Sequence, residues 1–215
     1  TIELVVASNQ AALRVGNLLG GASINMDGGC FRAPTKTFEH KDEKGNRLWP
    51  EAISRKSLDP YYDIVETMFK VRQMEWKEIP KAGGLFAKVF NDAGHACDRA
   101  RMNYSDCVQC GFCSVGCNFD KKQSLTLNYI PEAEKQGAEF RTGCWVSHVE
   151  PDGTGFIVNY ELGTEKKQIR ADILFVAGGG IHTPALLLRS KQYLDKLPEA
   201  VGKGLNLNGE SGYVM

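Results

Sequence analysis

The chain has 215 residues, enough for one or two compact domains, and its 26 Lys and Arg balance 26 Asp and Glu. Zero net charge argues against a nucleic-acid-binding domain, which is usually basic, and no apolar run approaches the ~20 residues that span a bilayer. Residues 1–10 lack the features of a signal peptide, and seven cysteines cannot all pair, so we expect a cytoplasmic protein with reduced thiols or a metal site.

The first half of the chain predicts one strand and one clear helix. The β-branched run Ile2–Val6 is typical of a strand, and residues 16–29 are rich in glycine. Residues 35–57 carry many charges and chain breakers and indicate a loop. A helix is predicted from Ser57, with Ser57 or Asp59 as its N-cap and Pro60 in its first turn. Its apolar residues share one face at helical spacing: Tyr61, Ile64, Val65 and Met68.

The second half predicts a helix followed by strands and turns. Residues 125–137 indicate a helix that ends at Gly137. Three strand candidates follow, at residues 139–141, 144–150 and 156–160, with a PDGTG turn before the last and Gly163 after it.

The segment ADILFVAGGGIHTPALLLRS, residues 171–190, predicts a strand, a glycine turn and a helix. Residues 173–176 are apolar without alternation, which suits a strand buried on both faces of a parallel sheet. Gly178, Gly179 and Gly180 follow, with Thr183 as the predicted N-cap and Pro184 in the first turn. Such a turn lets backbone approach a nucleotide closely. An ordinary crossover needs one glycine, so both interpretations stay open for this segment alone.

Together these motifs resemble the glucose–methanol–choline (GMC) family of FAD-dependent oxidoreductases, and its cholesterol-oxidase-like bacterial branch in particular. The first family signature is matched by Gly20, Gly21, Ala22, Ser23 and Asn25, and the second by GGIHTPALLLRSK. Between them, the block CGFCSVGC resembles the cysteine block of cholesterol-oxidase-like and long-chain alcohol oxidase members. The resemblance follows the family's order over most of the chain.

The resemblance implies an α/β fold that contains part of a Rossmann-like FAD-binding domain with a substrate-side insert. Residues 1–34 and 138–215 are then the two parts of the FAD-binding domain, and residues 35–137 form the insert. The reaction implied is oxidation of an alcohol, of sterol-like or other bulky apolar type, by hydride transfer to flavin. The implied cofactor-binding residues are Gly20, Gly21, Ser23, Asn25, Val146, Gly178, Gly179, Thr183 and Pro184.

Members of the family are longer, which leads us to expect an incomplete portion or a subunit that needs further segments or a partner. The resemblance places the catalytic histidine outside this chain, since the four histidines present fall outside the family's motif: His40, His95, His148 and His182. We therefore expect the isolated chain to be inactive and to expose apolar surface.

The cysteine block leaves three alternatives open. Cys107, Cys110, Cys113 and Cys117 have the spacing C-x2-C-x2-C-x3-C, which in bacterial ferredoxins holds an iron–sulfur cluster. A zinc site normally has a longer loop between its two CxxC pairs. The third alternative is a group of thiols without metal. A cluster would favour a second function, an electron-transfer module or subunit partnered with a flavin enzyme.

Overall fold

The computed structural model describes residues 2–8 and 11–205. The chain forms two compact units, residues 1–140 and 141–215. Helices and strands occur in both units, so the fold is of the mixed α/β kind that the sequence predicts. The three-part division into residues 1–34, 35–137 and 138–215 stays a prediction.

The first unit begins with an antiparallel hairpin. Strand β1 (Ile2–Ser8) pairs with β2 (Ala11–Gly16), which confirms the strand predicted near the start of the chain. A glycine turn then leads into α1 (Ala22–Asn25), a helix of one turn. A further short helix, α2 (Thr35–Glu39), lies in the region predicted as loop.

Helix α3 (Arg55–Met68) begins two residues before the predicted start. Its N-cap is Ser54, whose Oγ accepts from the Ser57 N–H at 3.1 Å while the Ser57 Oγ accepts from the Ser54 N–H at 2.9 Å. This reciprocal capping box satisfies two donors that the first turn leaves unpaired. Ser57 therefore serves as the third helical residue of the box, and Pro60 lies in the second turn, so the predicted cap was wrong.

The rest of the first unit is built from short elements around a long irregular segment. Two-residue strands β3 (Arg72–Gln73) and β4 (Arg101–Met102) pair antiparallel, with helix α4 (Lys81–Asp92) between them. Turns of 3-10 helix follow at Cys113–Val115 and Leu125–Leu127. Helix α5 (Tyr129–Lys135) covers only part of the predicted helix, because Asn128 caps its start, but the chain does turn at Gly137 as predicted.

The second unit is a three-stranded antiparallel sheet with one helix. Strands β5 (Cys144–Asp152), β6 (Gly155–Leu162) and β7 (Glu165–Ala171) pair in sequence order. The first two confirm predicted strands and the PDGTG turn between them. The third strand is charged and was not predicted, and the predicted strand at residues 139–141 is absent. Helix α6 (Gly179–Arg189) completes the unit.

The predicted parallel strand at residues 173–176 does not form. This segment has no regular secondary structure, and Ile173 and Phe175 are 74% and 86% exposed. A strand buried on both faces needs neighbours on either side, and among the described residues every strand pair is antiparallel and none includes this segment.

Apolar surface stays exposed on helices α3 and α4. Tyr61 and Ile64, which were predicted to share one face of the helix, are 65% and 59% exposed. On α4, the stacked rings of Phe86 and Phe90 lie beside the exposed side chains of Leu85 and Val89. These faces agree with the expectation that the chain exposes apolar surface.

Candidate functional site

A tight glycine turn joins β2 to α1. Gly20 and Gly21 have φ values of 90° and 52°, a left-handed conformation that side chains other than glycine rarely adopt. A Cβ added to Gly16 would lie 2.7 Å from the carbonyl carbon of Gly21, so Gly16 is needed for packing within the chain. A Cβ added to Gly21 would meet no atom within 4 Å. Gly21 therefore borders open space in which a ligand can approach the backbone.

Ser23 fixes the shape of this turn. Its Oγ donates to the Gly20 carbonyl at 2.6 Å and accepts from the Leu125 N–H at 3.0 Å. The hydroxyl thus ties the turn to a segment a hundred residues later in the chain. Its donor is already used, so direct contact between Ser23 and a cofactor stays a prediction.

Asn25, the last residue of α1, has a buried side-chain acceptor with no partner. The residue is 6% exposed, and its Oδ1 accepts no hydrogen bond from the described residues. A buried acceptor left unpaired costs about 1–3 kcal/mol, so such an atom calls for a donor. The backbone carbonyl of Asn25 accepts instead from Arg14 Nη2 at 3.3 Å.

Lys122 binds the backbone on both sides of Asn25. It is 3% exposed, and its Nζ donates to the carbonyls of Ile24 at 2.8 Å, of Cys113 at 2.7 Å and of Met26. Two of these carbonyls lie at the end of α1, where a helix leaves acceptors unpaired and favours a cation. Burial lowers the pKa of Lys122 from its ordinary value.

Other buried polar groups surround Lys122. Asn103 is fully buried, and its Nδ2 donates to the Gln123 carbonyl at 2.9 Å, while its N–H donates to the Gly28 carbonyl at 3.0 Å. Gln123 and Ser124 are also buried. Sequence reasoning missed this cluster because the run KKQS is typical of an exposed loop, and its position directly after the cysteine block was the one available signal.

The four cysteines of the block lie around one small cavity. Cys107, Cys110, Cys113 and Cys117 line a space of about 20 Å³ together with Tyr104 and Lys122, among others. The Cys107 Sγ accepts from the Gln109 N–H at 3.3 Å. The loop is tightly wound, with left-handed residues at Asp106, Gln109, Gly111 and Gly116.

These thiols differ in acidity. Burial raises the pKa of Cys113, and the neighbouring Cys107 raises it further. Burial also acts to raise the pKa of Cys117, but backbone N–H groups, first that of Lys122, outweigh it, so that pKa is lowered. None of the seven cysteines forms a disulfide. Within the described ranges, no three His, Cys, Asp or Glu side chains are placed to hold one metal ion.

The second glycine segment lies in the second unit, at the start of α6. A Cβ on Gly178 would lie 3.3 Å from the Thr183 nitrogen, a close contact that would require a small shift of its neighbours. Gly179 has a φ of 77°, and neither it nor Gly180 would bring a Cβ within 4 Å of another atom. The helix begins at Gly179 with Gly178 as its N-cap, so the predicted capping by Thr183 was wrong.

Thr183 and Pro184 lie in the second turn of α6 instead. Proline here removes one hydrogen bond within the helix. The three glycines thus form the helix start itself, and contact of Thr183 and Pro184 with a cofactor stays a prediction.

Val146 lies at a bulge in β5. The register with β6 shifts between Val146 and His148, and the carbonyls of Val146 and Ser147 accept from Arg189 at 3.0 Å and 2.9 Å. The Oγ of Ser190 also accepts a hydrogen bond from the Val149 N–H at 2.9 Å. The end of α6 therefore fixes this part of the strand, and a bulge of this kind re-aims a side chain.

A left-handed glycine turn beside open space, followed by a buried amide oxygen without a hydrogen bond, suits a segment that lies against a flat cofactor. Comparison with known proteins gives the family: the family model described as GMC oxidoreductase matches residues 3–208. The chain belongs to this family of flavin-dependent oxidoreductases, and the matched region is the one that binds FAD in the family.

Individual relatives are more distant. Two uncharacterized GMC-type oxidoreductases, from two strains of Mycobacterium tuberculosis, are each 26% identical over 194 residues, which is 83% of this chain and 28% of theirs. A cholesterol oxidase from Acinetobacter baumannii is 28% identical over 121 residues, 49% of this chain and 21% of its own. The chain thus spans under a third of these relatives. Among the described residues, no helix is long and apolar enough to cross a membrane.

Proposed function

We propose that this chain supplies part of the FAD site of an enzyme that oxidises an alcohol of bulky, apolar, sterol-like structure. The observation that carries the proposal is the Gly20–Gly21 turn, which borders open space, followed by the unpaired buried Oδ1 of Asn25. The FAD isoalloxazine ring presents an N–H that can satisfy such an acceptor. The residues present therefore fit the cofactor that the family uses.

The open space at Gly21 and the buried acceptor of Asn25 support roles for these two residues in the first unit. The backbone at Gly21 would border the cofactor, and the Oδ1 of Asn25 would accept a hydrogen bond from its flavin end. Contact of Gly179 and Gly180, in the second unit, with the cofactor stays a prediction. FAD supplies the hydride acceptor when bound. The proton of the alcohol needs a base, which we assign to a histidine outside these 215 residues.

The test is anaerobic reduction of the purified intact protein. It should show the two resolved visible bands of bound flavin, and a 3-hydroxysterol should bleach them, because hydride transfer reduces the flavin. Short aliphatic alcohols serve as the comparison for substrate class. A protein that binds no FAD, or whose flavin no alcohol reduces, would contradict the proposal.

A second candidate is an iron–sulfur electron-transfer module partnered with a flavin enzyme. The observation that favours it is that all four cysteines of the block line one cavity. The absence of a ready metal-holding group among the described side chains weighs against a single-ion site. Each thiolate of a cluster binds a different iron, so a cluster does not require the four sulfurs to meet at one point.

Metal analysis separates the two candidates. If a cluster is present, anaerobically purified protein should contain iron and acid-labile sulfide and show a broad absorption that dithionite bleaches. Cys113→Ser should then lower the iron content, whereas Cys144→Ser, in the other unit, should not. Iron-free protein that still binds FAD would leave the cysteine block as thiols and remove this candidate.

A further inference from the structure

Lys122 joins two segments that are far apart in sequence. Its ammonium group donates to carbonyls of Ile24 and Met26, which flank Asn25, and to the carbonyl of Cys113 in the cysteine loop. The side chain is 3% exposed. A buried ammonium group is retained only where hydrogen bonds compensate its lost hydration, and three carbonyl acceptors match its three donors.

The segment that Lys122 holds is otherwise weakly supported. Helix α1 has four residues, too few to be stable by itself, and its N-cap forms no side-chain hydrogen bond. Among the described residues, Leu125 donates to Ser23 near its start and Arg14 donates to the Asn25 carbonyl at its end. Lys122 therefore caps the carbonyl end of α1 at the place where the Asn25 side chain must be held.

We propose that Lys122 is a positioning residue for the flavin, which fixes Asn25 by binding the carbonyls on either side of it. This inference rests on the proposed FAD site. The positive charge is also held one residue away from the side chain assigned to the flavin end of the cofactor. Through Cys113, the same ammonium group anchors this segment to the cysteine loop.

The test compares FAD binding and stability in the intact protein. Lys122→Met keeps the length of the side chain and removes its three hydrogen bonds. We expect FAD affinity of the folded fraction to fall at least tenfold and the visible circular dichroism of bound flavin to change. Arg72→Met is the control, because it removes the Arg72–Glu78 ion pair of the same unit, and the Arg72 side chain donates to Glu78 and to the Gln73 carbonyl rather than to α1. It should lower stability and leave both flavin readouts unchanged.

A milder variant covers the case in which Lys122→Met does not fold. Arg14→Met removes one hydrogen bond to the Asn25 carbonyl and should shift FAD affinity in the same direction by a smaller factor. If the folded Lys122 variant binds FAD as the wild type does, with the same flavin signal, the positioning role is wrong. If Lys122→Met does not fold, wild-type FAD affinity in Arg14→Met would show that the positioning role is wrong. Wild-type protein that binds no FAD would instead refute the proposed function.

Discussion

Gly28→Ala should lower the free energy of unfolding by about 2–6 kcal/mol. Gly28 has a φ of 91°, and an added Cβ would lie 2.8 Å from the Oδ1 of Asn103 and 3.1 Å from the ring of Tyr104. Left-handed strain costs about 1–3 kcal/mol, and overpacking a close site costs about 1–3 kcal/mol more. Because Asn103 is fully buried and its Nδ2 donates to the Gln123 carbonyl, its side chain cannot move aside cheaply.

Gly94→Ala is the matched control for this prediction. Gly94 has a similar φ of 84°, but an added Cβ would meet no atom within 4 Å. It therefore bears the conformational strain alone, and the difference between the two variants measures the clash at Asn103. Urea unfolding followed by circular dichroism gives both values. Equal losses of unfolding free energy in the two variants would show that Asn103 moves aside at little cost, which would contradict the prediction.

Gly180→Ala should weaken FAD binding by about ten- to hundredfold, which corresponds to a loss of ~1–3 kcal/mol of contact energy. Gly180 is the second residue of α6, its φ is ordinary, and an added Cβ would meet no atom of the chain. Alanine favours a helix over glycine by up to about 1 kcal/mol, so the variant should be as stable as the wild type or more stable. A loss of FAD affinity would then result from a clash between the added methyl group and FAD, and not from a loss of stability.

The control for this second prediction is Gly84→Ala in α4, which adds the same methyl group to a helix at an equally open position. It should raise stability and leave FAD affinity unchanged. Gly21 and Gly179 are poorer targets, since their positive φ values make any larger residue strained whether or not a cofactor is present. Titration of FAD into each apo variant decides the matter. Equal affinity in wild type, Gly180→Ala and Gly84→Ala would refute the contact at α6.

Local signals predicted several elements correctly. The β-branched run at the start of the chain, the strands on either side of the PDGTG turn and the chain reversal at Gly137 follow from propensity and from glycine conformations. Helix starts were less accurate. Ser54 and Gly178 are the actual N-caps, and Gly178 has no side chain to cap with, because the backbone path into a helix decides where it begins.

The strand predicted at residues 173–176 shows where local pattern fails. Its apolar run fits a buried strand, yet a strand exists only through hydrogen bonds to neighbours, and none of the described strands pairs with it. The same reason explains why the charged strand β7 was missed. Its polar residues pair with β6 across a hairpin, and pairing rather than apolar pattern makes it a strand.

The sequence by itself determined the family, because the two glycine signatures, their order and the cysteine block are contiguous motifs that need no knowledge of distant contacts. Only the tertiary structure revealed how the first of them is held. Lys122 reaches back 98 residues to Ile24, and Asn103 packs against Gly28. A lysine in a polar run is usually solvated, and it becomes a buried anchor only when folding surrounds it with carbonyls that replace its water.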